Sequence, residues 1–316
     1  MDVTGVSSAV KIRAFTVGRR PRHRPASGEW ALSVIELIGP QPGPCTAFAS
    51  GVYGDKPLGS VVLHRLVQEL LTRPLRGSVV LIPAANPPAI EAGTRISPDL
   101  LLMNRRFPGV PDGSVTDQLA HRVFTILRER SDCIIDVHSG MPTHSVWYTY
   151  EYGDVALASA FGLPVVLGNA KDGQLSWAAA RSGASAILPE FSGGPLTDPA
   201  PGLQGCLNVL RLRGQLADPI QGPATVPVID TLQTYFPSAG GILCSSALPA
   251  NVGKPVPPGR LAWIINPSDG RVVDEFHVRT DGAILLLSTI TPLPVRAGDL
   301  CCMVGVPVRE VAPGAA

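Results

Sequence analysis

Cys133-Ile134-Ile135-Asp136-Val137-His138-Ser139-Gly140 is an apolar run that ends abruptly in Asp, His, Ser and Gly. Such a run reads as a buried strand whose last residues carry the polar groups, and in open α/β sheets ligands sit beyond the carboxyl ends of the strands. Working outward, Thr46-Ala47-Phe48-Ala49-Ser50-Gly51-Val52 and Ser78-Val79-Val80-Leu81-Ile82 have the same buried-strand character. Residues 60–71 between them have helical spacing, and Thr116 to Glu129 predicts a second helix, with Thr116 as its cap and Leu119, Val123, Phe124 and Leu127 on one face. Strands alternating with helices predict an α/β domain around a mostly parallel central sheet flanked by helices.

After about residue 220 the texture changes. Leu261-Ala262-Trp263-Ile264-Ile265, Arg271 to Val278 and Ala283 to Leu287 are short strand-like runs, separated by Asn266-Pro267-Ser268-Asp269-Gly270 and Thr280-Asp281-Gly282. Asp-Gly turns at this spacing predict a small all-β module. The expected organisation is an α/β domain over 1–218 and a β-barrel-like module over 222–312.

Composition narrows the function classes. The 33 Gly and 32 Pro of 316 residues fall short of a disordered chain, because 45% hydrophobic residues supply a core. A net charge of +1 and 5% aromatic residues leave no footprint for nucleic acid. The basic stretch Arg19-Arg20-Pro21-Arg22-His23-Arg24 reads as a solvated loop. No run is long and apolar enough for a signal peptide or a membrane span, so a cytoplasmic location is expected. Cys45, Cys133, Cys206, Cys244, Cys301 and Cys302 form no CxxC pair and read as free thiols. Only four of the 26 basic residues are lysines, which gives each lysine added weight.

Three strand ends are polar: Gly51-Val52-Tyr53-Gly54-Asp55-Lys56, the Asp136 to Gly140 stretch, and Pro189-Glu190-Phe191-Ser192-Gly193-Gly194. Between the first two lie Asn86-Pro87, Gly93-Thr94-Arg95 and Asn104-Arg105-Arg106-Phe107-Pro108-Gly109. In this order the motifs resemble the succinylglutamate desuccinylase and aspartoacylase family, zinc hydrolases related to the metallocarboxypeptidases that remove acyl groups from amino acids. The resemblance spans almost the whole chain and implies a carboxypeptidase-like fold. It also implies a zinc held by the His and Glu of an H-G-x-E motif and by the later His of D-x-H.

Here the first motif is Tyr53-Gly54-Asp55-Lys56, with Tyr at the His position and Lys at the Glu position; only His138 remains. An ammonium at a ligand position repels the ion, so no zinc is expected there. By the same resemblance Arg95, Asn104 and Arg105 bind the substrate carboxylate or polarise its carbonyl, and Glu190 is the general acid and base. Neutral Tyr53, cationic Lys56 and neutral His138 preserve the formal charge that zinc, Glu and two His would carry. Lys56 then serves as a charged donor and Tyr53 as a hydroxyl donor; the alternative is a decayed site in which Lys56 pairs with Glu190 or Asp136. His138, His144 and Asp55 form a substitute ligand set for zinc. His64, His121 and His277 read as structural, and Trp147, Tyr148, Tyr150 and Tyr152 as a pocket wall or as packing.

Three functions stay open. The first is a metal-independent enzyme, without cofactor, acting on an amino-acid-like or N-acyl amino acid substrate. Its catalytic residues are Glu190, Lys56, Tyr53 and His138, and its reaction is acyl transfer, cyclisation, elimination or amide chemistry, in keeping with specialised metabolism. The second is a non-catalytic binding protein, and the third a zinc amidohydrolase with an altered ligand set. The expected partner is a small molecule bearing a carboxylate; a homo-oligomer is compatible with the sequence.

Overall fold

The strands in chain order are β1 (Ala9–Val17), β2 (Trp30–Ile38), β3 (Gln41–Ala49), β4 (Arg76–Ile82), β5 (Cys133–Asp136), β6 (His138–Ser139), β7 (His144–Glu151) and β8 (Val165–Val166). They continue with β9 (Ser185–Ser192), β10 (Val226–Tyr235), β11 (Gly241–Ser245), β12 (Gly259–Ile265), β13 (Val272–Val278), β14 (Ile284–Thr289), β15 (Leu293–Val295) and β16 (Cys302–Val311). The helices are α1 (Leu58–Leu71), α2 (Pro87–Ala92), α3 (Val115–Arg130), α4 (Val155–Ala160), α5 (Leu175–Arg181) and α6 (Ala200–Leu212), with short 3₁₀ turns at Met103–Arg105 and Pro249–Asn251. This is a computed structural model describing residues 9–17, 30–168 and 171–315, the first of these segments as backbone only; the basic stretch 19–24 lies outside the described residues.

At the centre β4, β3, β5 and β9 run side by side and parallel, as the sequence predicts. The sheet is mixed beyond that core. β2 joins β4 antiparallel on one side and β7 joins β9 antiparallel on the other. The last part of the chain enters the same sheet: β14 pairs with β7, β16 with β14, and β10 with both β16 and β8. Because β8 also pairs with β7, these five strands close into a ring. Its interior is filled by Val146, Val166, Ile229, Leu286 and Met303. β13, β12, β11 and β15 make a separate antiparallel sheet.

Side-chain alternation along the central strands sorts the core into two layers. Phe48 and Ile135 face α1, α4 and α6, packing with Leu63, Leu66, Phe161 and Leu210. Ala47, Ala49 and Ile134 face α3 and α5, packing with Leu119, Val123 and Leu175. The cap of α3 differs from the sequence expectation. Ser114, not Thr116, is the cap: its hydroxyl accepts from the Asp117 backbone N–H at 3.1 Å, and Asp117 accepts from the Ser114 N–H at 3.2 Å. Thr116 instead donates to Asp99 at 2.6 Å. Both residues suit a cap, and the reciprocal Ser114–Asp117 box satisfies two orphan N–H groups where Thr116 would satisfy one.

No helix among the described residues is long and apolar enough to cross a membrane. All six cysteines are unpaired, and burial pushes the Cys133 thiol up to about 12, so it is inert as a nucleophile.

Candidate active site

The three polar strand ends meet at one edge of the parallel core. β3 stops at Ala49, and Gly51, with φ +70°, turns the chain toward Tyr53. Gly54 follows because the chain is pressed against α2: a Cβ at this position would lie 1.9 Å from the Ala89 carbonyl oxygen. Asn86 caps α2 and braces the loop, its side-chain amide donating to the Val52 carbonyl at 3.2 Å and to Ser97 at 3.0 Å. Lys56 then emerges immediately before α1. On the other side β9 carries Glu190 and ends at Ser192, and Ser192, Gly193 and Gly194 are three successive residues with positive φ. Gly193 crosses so close to Gly140 that a Cβ would stand 2.3 Å from its Cα.

These strand ends bring Lys56 and Glu190 into direct contact. The Lys56 Nζ donates to both carboxylate oxygens of Glu190, at 2.9 and 2.8 Å, with both side chains about nine-tenths buried. Behind the pair, His138 Nδ1 lies 3.9 Å from Glu190 and its Nε2 contacts Asp136 at 2.9 Å. Of the two carboxylates available to Lys56, therefore, the pairing is with Glu190, and Asp136 is taken by His138.

Tyr53 forms the adjoining wall. Its ring meets His138 edge to face at 5.3 Å, and the Arg95 guanidinium lies over the ring, 4.3 Å from its centroid. Burial pushes the Tyr53 phenol up, so at neutral pH it is protonated and can donate. Asn104, in the first 3₁₀ turn, is buried and accepts from the Leu175 N–H at 3.2 Å, which leaves its amide NH₂ to face the cavity beside Tyr53. Arg105 donates to the Asn104 carbonyl and lines the same cavity.

The cavity has a volume of about 140 Å³, and Tyr53, Lys56, Arg95, Asn104, Arg105 and Glu190 all line it. His138 lies just behind this surface rather than on it. The cavity also holds residues that sequence reasoning passed over. Lys171 stands exposed at its rim, and Gln174 is buried, accepting from the Lys171 N–H and the Tyr152 hydroxyl, both at 2.9 Å. Tyr148 and Tyr150 form part of its wall, as does Leu188; Trp147 packs instead between two apolar clusters. The far wall comes from the end of the chain, through Leu287 of β14 and Leu300.

The substitute zinc ligands do not assemble. His144 has both ring nitrogens engaged, one with Thr143 and one with the Leu300 carbonyl, each at 2.8 Å, and burial lowers its pKa. Asp55 does not line this cavity but a different, apolar hollow. Among the described residues no three His, Cys, Asp or Glu side chains are grouped to hold a metal ion. At the position implied for the ion, an ammonium with two hydrogen bonds to a carboxylate stands beside a phenol and one histidine. That donor set does not fit zinc.

The fold and the order of motifs have counterparts among known proteins. Residues 42–200 match the succinylglutamate desuccinylase/aspartoacylase catalytic domain, and the chain belongs to that family. It is 29% identical over 293 residues to the N-alpha-acetyl-L-2,4-diaminobutyric acid deacetylase of Halomonas elongata, across 85% of this chain and 84% of the relative. A succinylglutamate desuccinylase/aspartoacylase from Rhodobacter sphaeroides superposes with a TM-score of 0.80 at 25% identity, covering 94% of this chain and 96% of that one. The product-bound ectoine utilization protein EutE (DoeB) of Ruegeria pomeroyi shares the fold, with a TM-score of 0.79 at 24% identity over 94% and 95% of the two chains.

Proposed function

We propose that this protein binds an N-acyl amino acid in the cavity and acts on its amide without a metal ion or other cofactor. The observation that carries the reading is the convergence of Tyr53, Lys56, Glu190, Arg95 and Arg105 on one cavity; the Lys56–Glu190 contact is by itself the pairing expected of a decayed site. Arg95 and Arg105 are placed to take the carboxylate, with the Asn104 amide beside them. Lys56 supplies a fixed positive charge and donates to the amide oxygen as negative charge builds there. Glu190 accepts the proton of the attacking nucleophile and passes it to the leaving amine, Tyr53 donates from the side, and His138, held by Asp136, supports Glu190 from behind. Four cationic side chains, with Lys171, face a single carboxylate in the lining. That excess favours a ligand with an acidic side chain and disfavours one with a free amine, such as the compound for which the Halomonas relative is named. Unpaired cysteines suit a cytoplasmic setting.

One observation favours a second reading, binding without turnover. Both oxygens of Glu190 accept from the same ammonium, so neither meets a substrate or water until that contact is broken. The deciding experiment incubates EDTA-treated protein with N-acetyl-L-glutamate and follows binding by calorimetry and release of primary amine. Release that disappears in both Glu190→Gln and Lys56→Met supports catalysis. Binding with no release supports the second reading, and release that requires added zinc overturns the metal-free site.

A further inference from the structure

The three strand ends that line the charged cavity have a second side. Asp55, Pro57 and Leu58 flank Lys56 in sequence, Gly193, Gly194 and Leu196 follow Glu190, and all of them line a separate hollow of about 250 Å³. Gly140 and Met141 line both spaces. The hollow is walled almost wholly by apolar atoms, among them Val61 of α1, which is 43% exposed, and Pro142. Its volume is that of about eight waters at ~30 Å³ each, and an apolar space of that size gains more from hydrocarbon than from water.

The partition between the two spaces is a side chain suited to moving. Met141 is unbranched and half-buried, and its sulfur is held only by a 3.2 Å contact from an Arg95 Nη. Arg95 is itself exposed and stacked on Tyr53, so a carboxylate that engages Arg95 competes with its contact to Met141. The one acid lining the hollow, Asp55, keeps its Oδ1 buried, and the apolar wall offers no partner to a charged group. The occupant must therefore be anionic on the Arg95 side and uncharged beyond Met141.

We infer that the hollow is the acyl-chain subsite, and that the ligand class is N-acyl amino acids whose acyl group is a medium-length hydrocarbon chain. This rests on the reading of the charged cavity as the seat of the amino acid. Met141 is the side chain that swings aside to join the two spaces, and the acyl chain lies against Val61, Leu58 and Leu196.

Calorimetric titration of the purified protein with N-acetyl-, N-butanoyl-, N-hexanoyl- and N-octanoyl-L-glutamate tests this. Binding should tighten about three- to fourfold per added methylene, until the chain fills the hollow. Val61→Glu should remove the dependence on chain length, while Met141→Ala should keep it. A flat series with the acetyl compound bound overturns the subsite and leaves the charged cavity standing. Failure of every member, the acetyl compound included, sinks the reading of the cavity and the subsite with it. A chain-length series that persists in Val61→Glu, or octanoate binding as tightly as N-octanoyl-L-glutamate, also overturns the assignment.

Discussion

Lys56 and Glu190, 134 positions apart in sequence, share two hydrogen bonds in a nine-tenths buried ion pair at the carboxyl end of a parallel sheet. Losing one member of a buried pair leaves a desolvated charge, at a cost of about 3–5 kcal/mol, whereas replacing both by apolar groups is often neutral. Lys56→Met should therefore lower unfolding stability by about that amount, and Lys56→Met with Glu190→Leu should recover most of it. Urea denaturation of the three proteins measures this. A double variant no more stable than the single one would show that the pair is not the origin of the loss.

The donor set at the strand ends does not fit zinc, so the protein should be indifferent to chelation. Its melting temperature should not move with EDTA or with equimolar zinc, since a ligand that binds only the folded state raises it. Elemental analysis supplies the contrary outcome. One zinc per chain, lost on His138→Ala, would overturn the metal-free site.

Gly193 is held at φ +92° with a prospective Cβ 2.3 Å from the Gly140 Cα and 2.5 Å from the His144 carbonyl oxygen. Gly193→Ala must push the end of β9 away from the His138 segment. Overpacking of this kind costs about 1–3 kcal/mol, in addition to the backbone penalty. Gly183→Ala is the control, with φ +84° but open space around it, so it carries the backbone penalty alone. Thermal unfolding should separate the two variants, and ligand affinity should fall only in Gly193→Ala.

Acid stability should depend on Asp117. Its hydrogen bond from Arg106, then those from Ser114, hold this carboxyl below the usual carboxylate range. The contribution is present in full above the unfolded value of about 3.9 and is lost as pH falls through the lower folded value. Asp117→Asn should be less stable than wild type at pH 7, with the gap closing below about pH 4. A gap independent of pH would place the effect in the α3 cap alone.

The parallel core and its three polar ends were legible because each strand is a short apolar run that stops at a chemically loaded turn. Tyr53, Lys56, Arg95, Asn104, Arg105 and Glu190 announced themselves by the order of their motifs, and the structure brings all six to one cavity. Lys171 and Gln174 lie in a loop with no periodicity, and the rarity of lysine was the one signal that could have found the first of them. The antiparallel flanks were not legible. β14 pairs with β7 across about 140 residues, and nothing local in Ile284–Thr289 names that partner. The substitute ligand His144 has the right chemistry, but its ring is oriented by the Leu300 carbonyl and Thr143, contacts set by tertiary packing.

The Leu300 contact bears on how the cavity comes into being. A nascent chain halted at residue 222 already carries Lys56, Glu190, Arg95 and Arg105, yet it lacks Leu287 and Leu300, which wall the cavity, and the carbonyl that fixes His144. During synthesis the charged floor is made first and stands open on one side until residues 284–311 leave the ribosome and lay β14 against β7 and β16 against β14. A ligand added to such a stalled chain meets a half-built site, so the acquisition of binding times the arrival of the C-terminal strands.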